Sequence, residues 1–307
     1  MSKLDKIEEL QNIIKEDSSN FQARRKLAVL LMDSGFNEEA LGHLLYLSKN
    51  FSNDDGIFYN LGIVYEKLKK FANAKEAYLK SLEISPDSMD STYNLGLVYI
   101  ELKEYDKAIE CFEKILKDDN EDSNSYFNLG LIYFKTKDYI KAMENFQTTI
   151  DLNDEDIYAH FYIGNIFKEL GDLDSAREKF NKVLELSPDY SWAYFNLAVI
   201  DNETGNIEGA IENLQKTIEL NPYDLDAYKI LIKILLKEQN FEEAAAIGAN
   251  AVSQCEENGD LDYLTYLAYF KNGENKNAKE YLEHAIRNFK TLSVPLTKAK
   301  HELSHIK

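Results

Sequence analysis

His301-Glu302-Leu303-Ser304-His305 has the spacing of a zinc-protease helix, H-E-x-x-H. Four residues separate the two imidazoles, so a helix brings both to one face, with the glutamate between them placed as a general base. Such a site also needs a third protein ligand and a cleft around the metal. No histidine follows His305, and His43, His160 and His284 each stand alone. No serine or cysteine has a histidine nearby with an acidic orienter, and no glycine-rich phosphate loop occurs. Cys111 and Cys255 lie far apart and outside any Cys-x-x-Cys pair, which gives neither a disulfide framework nor a zinc knuckle. The acid runs Asp118-Asp119 and Asp154-Glu155-Asp156 read as carboxylates at helix starts, where the helix dipole favours them. The expectation is a protein that is not an enzyme and has no metal centre and no cofactor.

The formal charge of −19 over 307 residues opposes contact with phosphate backbones and with anionic lipid. Nucleic acid is therefore not an expected partner. The stretch Met1–Leu10 is charged where a leader needs an apolar run, and no later segment approaches the roughly 20 apolar residues of a membrane span. A cytoplasmic location without membrane insertion is expected.

The elements that position these residues follow from an internal repeat. Gly62, Gly96, Gly130 and Gly164 recur every 34 residues, and Ala28 and Ala198 extend the series in both directions. A second series, Ala40, Ala74, Ala108, Ala142, Ala176, Ala210, Ala244 and Ala278, keeps the same interval without insertion. Glycine inside a helix costs about 1 kcal/mol relative to alanine, so a row of them implies close helix approach. The expected neighbour of each glycine is the alanine twelve residues on, with Tyr65, Tyr99, Tyr133, Phe167, Tyr78, Phe112, Phe146 and Phe180 filling the seam around the small pair. Gly35, Gly171, Gly205 and Gly273 mark the turn between two helices, while Lys69, Lys103, Lys137 and Gln239 stand in its place in the other four repeats.

The period and these positions resemble the tetratricopeptide repeat (TPR) family. The resemblance implies an all-α, right-handed superhelical solenoid of about eight TPR helix-turn-helix hairpins with terminal capping helices. The repeats run 21–54, 55–88, 89–122, 123–156, 157–190, 191–224, 225–258 and 259–292, between an N-terminal capping helix at 1–20 and a C-terminal one at 293–307. Repeats seven and eight depart from the pattern, with Ile232 and Tyr266 at the small position and Gly248 where an aromatic is usual.

In this family the first helix of each hairpin lines the concave side, and repeat positions 2, 5, 6, 9, 12 and 13 face it. Position 6 supplies an amide row, Asn60, Asn94, Asn128 and Asn196, broken by Tyr162. A carboxamide both donates to a peptide carbonyl and accepts from its N–H, which suits capture of backbone irrespective of sequence. Position 5 supplies the aromatic row Tyr59, Tyr93, Phe127, Phe161, Phe195 and Tyr263, and position 9 adds Ile63, Leu97, Leu131, Asn165 and Val199. Lys229, Lys233 and Lys237 share one face of the first helix of repeat seven, and Lys271 extends it into repeat eight. These eighteen residues, Tyr263 aside, form the expected peptide-binding site. The expected partner is a protein or peptide, extended or helical, with its acidic part toward the lysines. The alternative is a self-assembling protein that uses the same groove for homo-oligomerisation. The chaperone-binding clamp of the family begins Lys-x-x-x-Asn; Arg25 and Val29 replace that pair in repeat one.

Overall fold

A computed structural model describes residues 2–306, which form eighteen α-helices and one short 3-10 turn, with no strand among the described residues. Two compact units divide the chain, Met1–Asp154 and Glu155–Lys307. The first holds α1 (Lys3–Glu16) and four hairpins: α2 (Phe21–Asp33) with α3 (Asn37–Asn50), α4 (Asp55–Lys67) with α5 (Phe71–Ile84), α6 (Met89–Glu101) with α7 (Tyr105–Asp118), and α8 (Ser123–Lys135) with α9 (Tyr139–Leu152). The second holds α10 (Ile157–Glu169) with α11 (Leu173–Leu186), α12 (Ser191–Thr204) with α13 (Ile207–Leu220), α14 (Leu225–Lys237) with α15 (Phe241–Gln254), and α16 (Gly259–Lys271) with α17 (Asn275–Arg287). A 3-10 turn at Phe289–Thr291 then leads to α18 (Leu296–His305). Within each unit consecutive helices pack on one another, so both are the all-α stacks of hairpins that the period implies. Among the described residues, no helix is long and apolar enough to cross a membrane.

Seven of the eight first helices start on a side-chain cap that satisfies an otherwise unpaired backbone N–H, the exception being α12, which follows Tyr190. Asn20, Asp54, Ser88, Asp122, Asp156, Asp224 and Asn258 all accept from an N–H two or three residues on. Asp156 thereby takes the helix-start role that its acid run suggested, whereas Asp118 and Asp119 close α7, with Asp119 as its C-cap, and the start of α8 falls to Asp122 instead. Between the two helices of every hairpin the chain passes through the left-handed region. The four glycines there have φ of 80–83°, and Lys69, Lys103, Lys137 and Gln239 adopt the same conformation at 56–63°. The turn geometry is uniform although glycine supplies only half of the positions.

The seam inside each hairpin differs from the sequence expectation in one respect. The atoms nearest a Cβ on Gly62, Gly96, Gly130 or Gly164 belong to the aromatic ring sixteen residues on, ahead of the alanine twelve on. A Cβ built on Gly96 would lie 2.8 Å from Phe112, on Gly130 2.7 Å from Phe146, and on Gly164 2.9 Å from Phe180; one on Gly62 would collide with Tyr78. These four rings are fully buried, and so are all eight alanines of the second series. Repeat seven inverts the sizes at the two registers, with buried Ile232 on the first helix and Gly248 on the second. Total volume in the seam is what the repeats hold roughly constant.

One buried carboxylate is fully paired. The Asp201 carboxylate accepts from Arg177 at 2.7 Å, from the Asn206 amide at 3.0 Å and from the Asn213 amide at 2.8 Å, tying α11, α12 and α13 together. At the outer helices the seam registers change character. Lys6 occupies the register of the buried alanines and Lys300 that of the glycines, and both are exposed.

Candidate functional site

In the first unit the aromatic row lies on the first helices, each ring leaning on the buried ring of its own hairpin. Tyr59 and Tyr78 have centroids 6.0 Å apart, Tyr93 and Phe112 5.7 Å, and Phe127 and Phe146 5.6 Å. Tyr59, Tyr93 and Phe127 therefore show only part of their surface, as do Ile63, Leu97 and Leu131 one turn further on. The amide row reaches back by one repeat. Asn94 donates to the Tyr59 hydroxyl at 3.4 Å, and Asn128 to the Tyr93 hydroxyl at 3.0 Å and to the Asn124 carbonyl at 2.8 Å. Asn128 is buried, whereas Asn60 and Asn94 keep part of their surface in water. Beneath Tyr59, the Tyr78 hydroxyl donates to Glu66, whose carboxyl burial pushes above the usual range.

In the second unit the same rows change composition. Phe161 sits among Phe180, Tyr190 and Tyr162, at 5.7, 5.3 and 5.9 Å. Tyr158 meets Tyr190 at 6.1 Å and Trp192 meets Phe195 at 6.2 Å. Tyr158 is 52% exposed and Trp192 53%, values that set them apart from the half-buried Phe161 and Phe195 behind them. Both lie at repeat position 2, on the face named at the outset, where only positions 5, 6, 9 and 13 had been read for side chains. Asn165 donates to the Phe161 carbonyl at 3.1 Å. Asn196 is buried, donates to the Trp192 carbonyl at 2.8 Å and accepts from Lys168, whose ammonium burial makes less basic. Val199 is half-buried beside it.

The lysines are not equivalent. Lys229 is partly covered and paired with Asp226 at 2.8 Å, and Lys271 lies over the Phe241 ring with its ammonium 5.5 Å from the centroid. Lys233 and Lys237 are exposed. Tyr263 departs from the aromatic row, because α18 covers it: it is buried, and its hydroxyl donates to both oxygens of Glu302 at 2.9 and 3.2 Å. The capping helix thus occupies the place where repeat eight would offer its ring. His301 and His305 lie side by side on that helix, with ring centroids 4.3 Å apart and planes tilted by 38°. No group of three or more His, Cys, Asp or Glu side chains suited to a metal ion forms among the described residues.

Tetratricopeptide repeat models match residues 55–121 and 87–155, 164–201, 201–258 and 267–289. No curated protein matches the sequence. Among solved structures, the chain is similar to MamA 41-end from Desulfovibrio magneticus RS-1, with 27% identity and a TM-score of 0.53 over 56% of this chain and 97% of that one. It is also similar to a tetratricopeptide repeat protein from Parabacteroides merdae, at 16% identity and TM-score 0.56 over 81% and 97% of the two chains. Pseudomonas aeruginosa pilF gives 16% and 0.57 over 71% and 98%. The last two likenesses concern the fold alone.

Proposed function

Because the chain belongs to the tetratricopeptide repeat family, we propose that it is a protein-interaction scaffold holding an extended or helical polypeptide segment against the first helices of its hairpins. The observation that carries this reading is the aromatic cluster on α10 and α12, where Tyr158 and Trp192 leave half of their surface in water. Large rings grouped in this way have no folding role for their open faces, and such patches mark interaction surfaces. Asn60, Asn94 and Asn165 supply polar contacts beside the apolar rows formed by Tyr59, Tyr93, Phe127, Phe161 and Phe195 with Ile63, Leu97, Leu131 and Val199. Asn128 and Asn196 spend their amide donors inside the protein and act by holding the rings in place. Lys229, Lys233, Lys237 and Lys271 receive an acidic part of the partner. The setting is cytoplasmic, and the activity is binding rather than catalysis.

A photo-reactive phenylalanine analogue in place of Trp192 tests the reading directly. It should cross-link a polypeptide partner in cells, while the same analogue in place of Lys179, on the second helix α11, should not. Equal capture at both positions would move the interaction away from the first helices.

A second reading, self-association, has its own support. A groove of about 660 Å³ between α1 and α2 exposes Leu10, Val29 and Leu30 between Lys6, Arg25, Lys26, Glu9 and Asp33. A helix from a second copy fits a groove of this kind. Light scattering across a range of concentrations separates the two readings, since a strictly monomeric protein eliminates the second.

A further inference from the structure

We propose that the cleft between α16 and α18 is an acid-binding subsite of this interaction surface, in which His301 and His305 take up a partner carboxylate that stands next to a large apolar side chain. The proposal rests on the polypeptide-binding reading above and names the chemistry of one end of it. The cleft encloses about 400 Å³ and is lined by Tyr266, Leu267, Phe270 and Lys271 from α16 and by His301, Glu302, His305 and Ile306 from α18. Its floor is apolar: Tyr266 and Phe270 have ring centroids 5.8 Å apart, and Phe270 is 44% exposed.

Lys271, His301 and His305 of the lining are basic. Lys237 stands at the repeat register of Lys271 and His305, and Lys233 at that of His301, both on α14. In a chain of net charge −19, a run of this sign over three successive first-helix positions is complementary to an acidic segment. The charged and titratable groups around the imidazoles are Lys271 and Tyr266 from α16, and Glu302 and Lys298 from α18 itself. α17 contributes Leu282 and Ala285 to the core under α18 and no residue to the lining. Glu302 is the one carboxylate of the lining, and its charge is engaged by the Tyr263 hydroxyl, with Lys298 3.9 Å away.

The local hydrogen bonds assign the proton on His305. Its Nδ1 lies 2.7 Å from the His301 carbonyl oxygen, which only accepts, so Nδ1 carries the hydrogen and Nε2 bears the lone pair in the neutral ring. A neutral His305 therefore repels a carboxylate lone pair at Nε2, whereas the imidazolium donates to it. The protonated cleft is therefore the form that receives an acidic ligand, and binding should strengthen toward acid pH as long as the ligand carboxylate stays ionised.

The test is fluorescence anisotropy with a labelled synthetic peptide in which glutamates alternate with leucine and phenylalanine, titrated with the full chain in EDTA-containing buffer. Binding should be roughly 3–10-fold tighter at about pH 5.5 than at about pH 8, as expected for one or two exposed charge pairs. The gain should vanish in the His301→Gln, His305→Gln double variant, whose circular dichroism should match the parent. It should persist in His284→Gln, because His284 lies in a separate pocket with Glu256, Asp262 and Arg287. A lysine-for-glutamate peptide should not bind. If the gain survives loss of both histidines, or if binding at pH 8 depends on Lys233 and Lys237 but shows no pH response, the subsite is overturned and the wider reading stands. No binding of the acidic peptide at either pH overturns the subsite together with the acidic half of that reading, while cross-linking from position 192 continues to judge the rest.

Discussion

The Asn128 amide donates to the hydroxyl of Tyr93, 35 residues earlier and one hairpin back, at 3.0 Å. This bond joins position 6 of one repeat to position 5 of the one before, so two rows that look like independent ligand contacts form one framework. Asn94 and Tyr59 repeat the arrangement at 3.4 Å. Tyr93→Phe should therefore cost about 0.5–1.5 kcal/mol of stability, the usual net worth of a hydrogen bond. Urea titration measures it. Asn60→Ala, two repeats before Asn128, has Arg25 rather than tyrosine at the matching place and should change stability less than Asn128→Ala.

Enlarging the seam should be costly in proportion to how little the facing ring can move. Gly130→Leu forces a side chain into the space of Phe146, which is fully buried and has nowhere to turn. The expected loss is about 1–3 kcal/mol, with part recovered in Gly130→Leu combined with Phe146→Ala. Thermal melts of the four members of this cycle give the coupling; strict additivity means that the two residues do not share the seam.

The left-handed lysines offer a stabilising change. Lys103 holds φ at 59°, a conformation that costs an L-residue about 1–2 kcal/mol and glycine almost nothing. Glycine returns roughly 0.5–1 kcal/mol through the greater freedom of its unfolded chain. Lys103→Gly should thus raise stability by up to about 1 kcal/mol, and Gly171→Ala, with φ of 80°, should lower it. Denaturation midpoints of the two variants should move in opposite directions.

Glu66 carries a pH dependence of unusual sign. Burial, partly offset by the hydrogen bond from Tyr78, raises its carboxyl above the ordinary value of 4.5. The folded state then keeps a proton that the unfolded chain has already lost, so the stabilising contribution is complete below about pH 4.5 and disappears as pH rises through the folded value. Glu66→Gln keeps an acceptor for the Tyr78 hydroxyl and removes the titration. The variant should be more stable than the parent near pH 7 and lose that advantage toward pH 4. Chemical denaturation at the two pH values checks this, and a constant difference would assign the effect to packing.

The repeat interval by itself determined the architecture: a 34-residue period with two small-residue series implies two helices per unit, and the volumes at those registers require the helices to touch. Helix starts were legible too, because a capping side chain acts within three residues of its own position. The amino-acid sequence also marked the faces, since the aromatic and amide rows fall at constant registers. What it left open depends on distances between residues far apart in the chain. The glycine's neighbour is a ring sixteen residues on because side chains on the two antiparallel helices meet at an angle that the one-dimensional register does not contain. The burial of Asn128 and Asn196, and the covering of Tyr263 by α18, were decided only when neighbouring helices came together, since exposure belongs to the assembled surface and not to the residue. Trp192 and Tyr158 were visible as letters at position 2 of their repeats. Only tertiary packing, which spends Phe161 and Phe195 on their neighbours and leaves these two rings open to water, made them the centre of the candidate site.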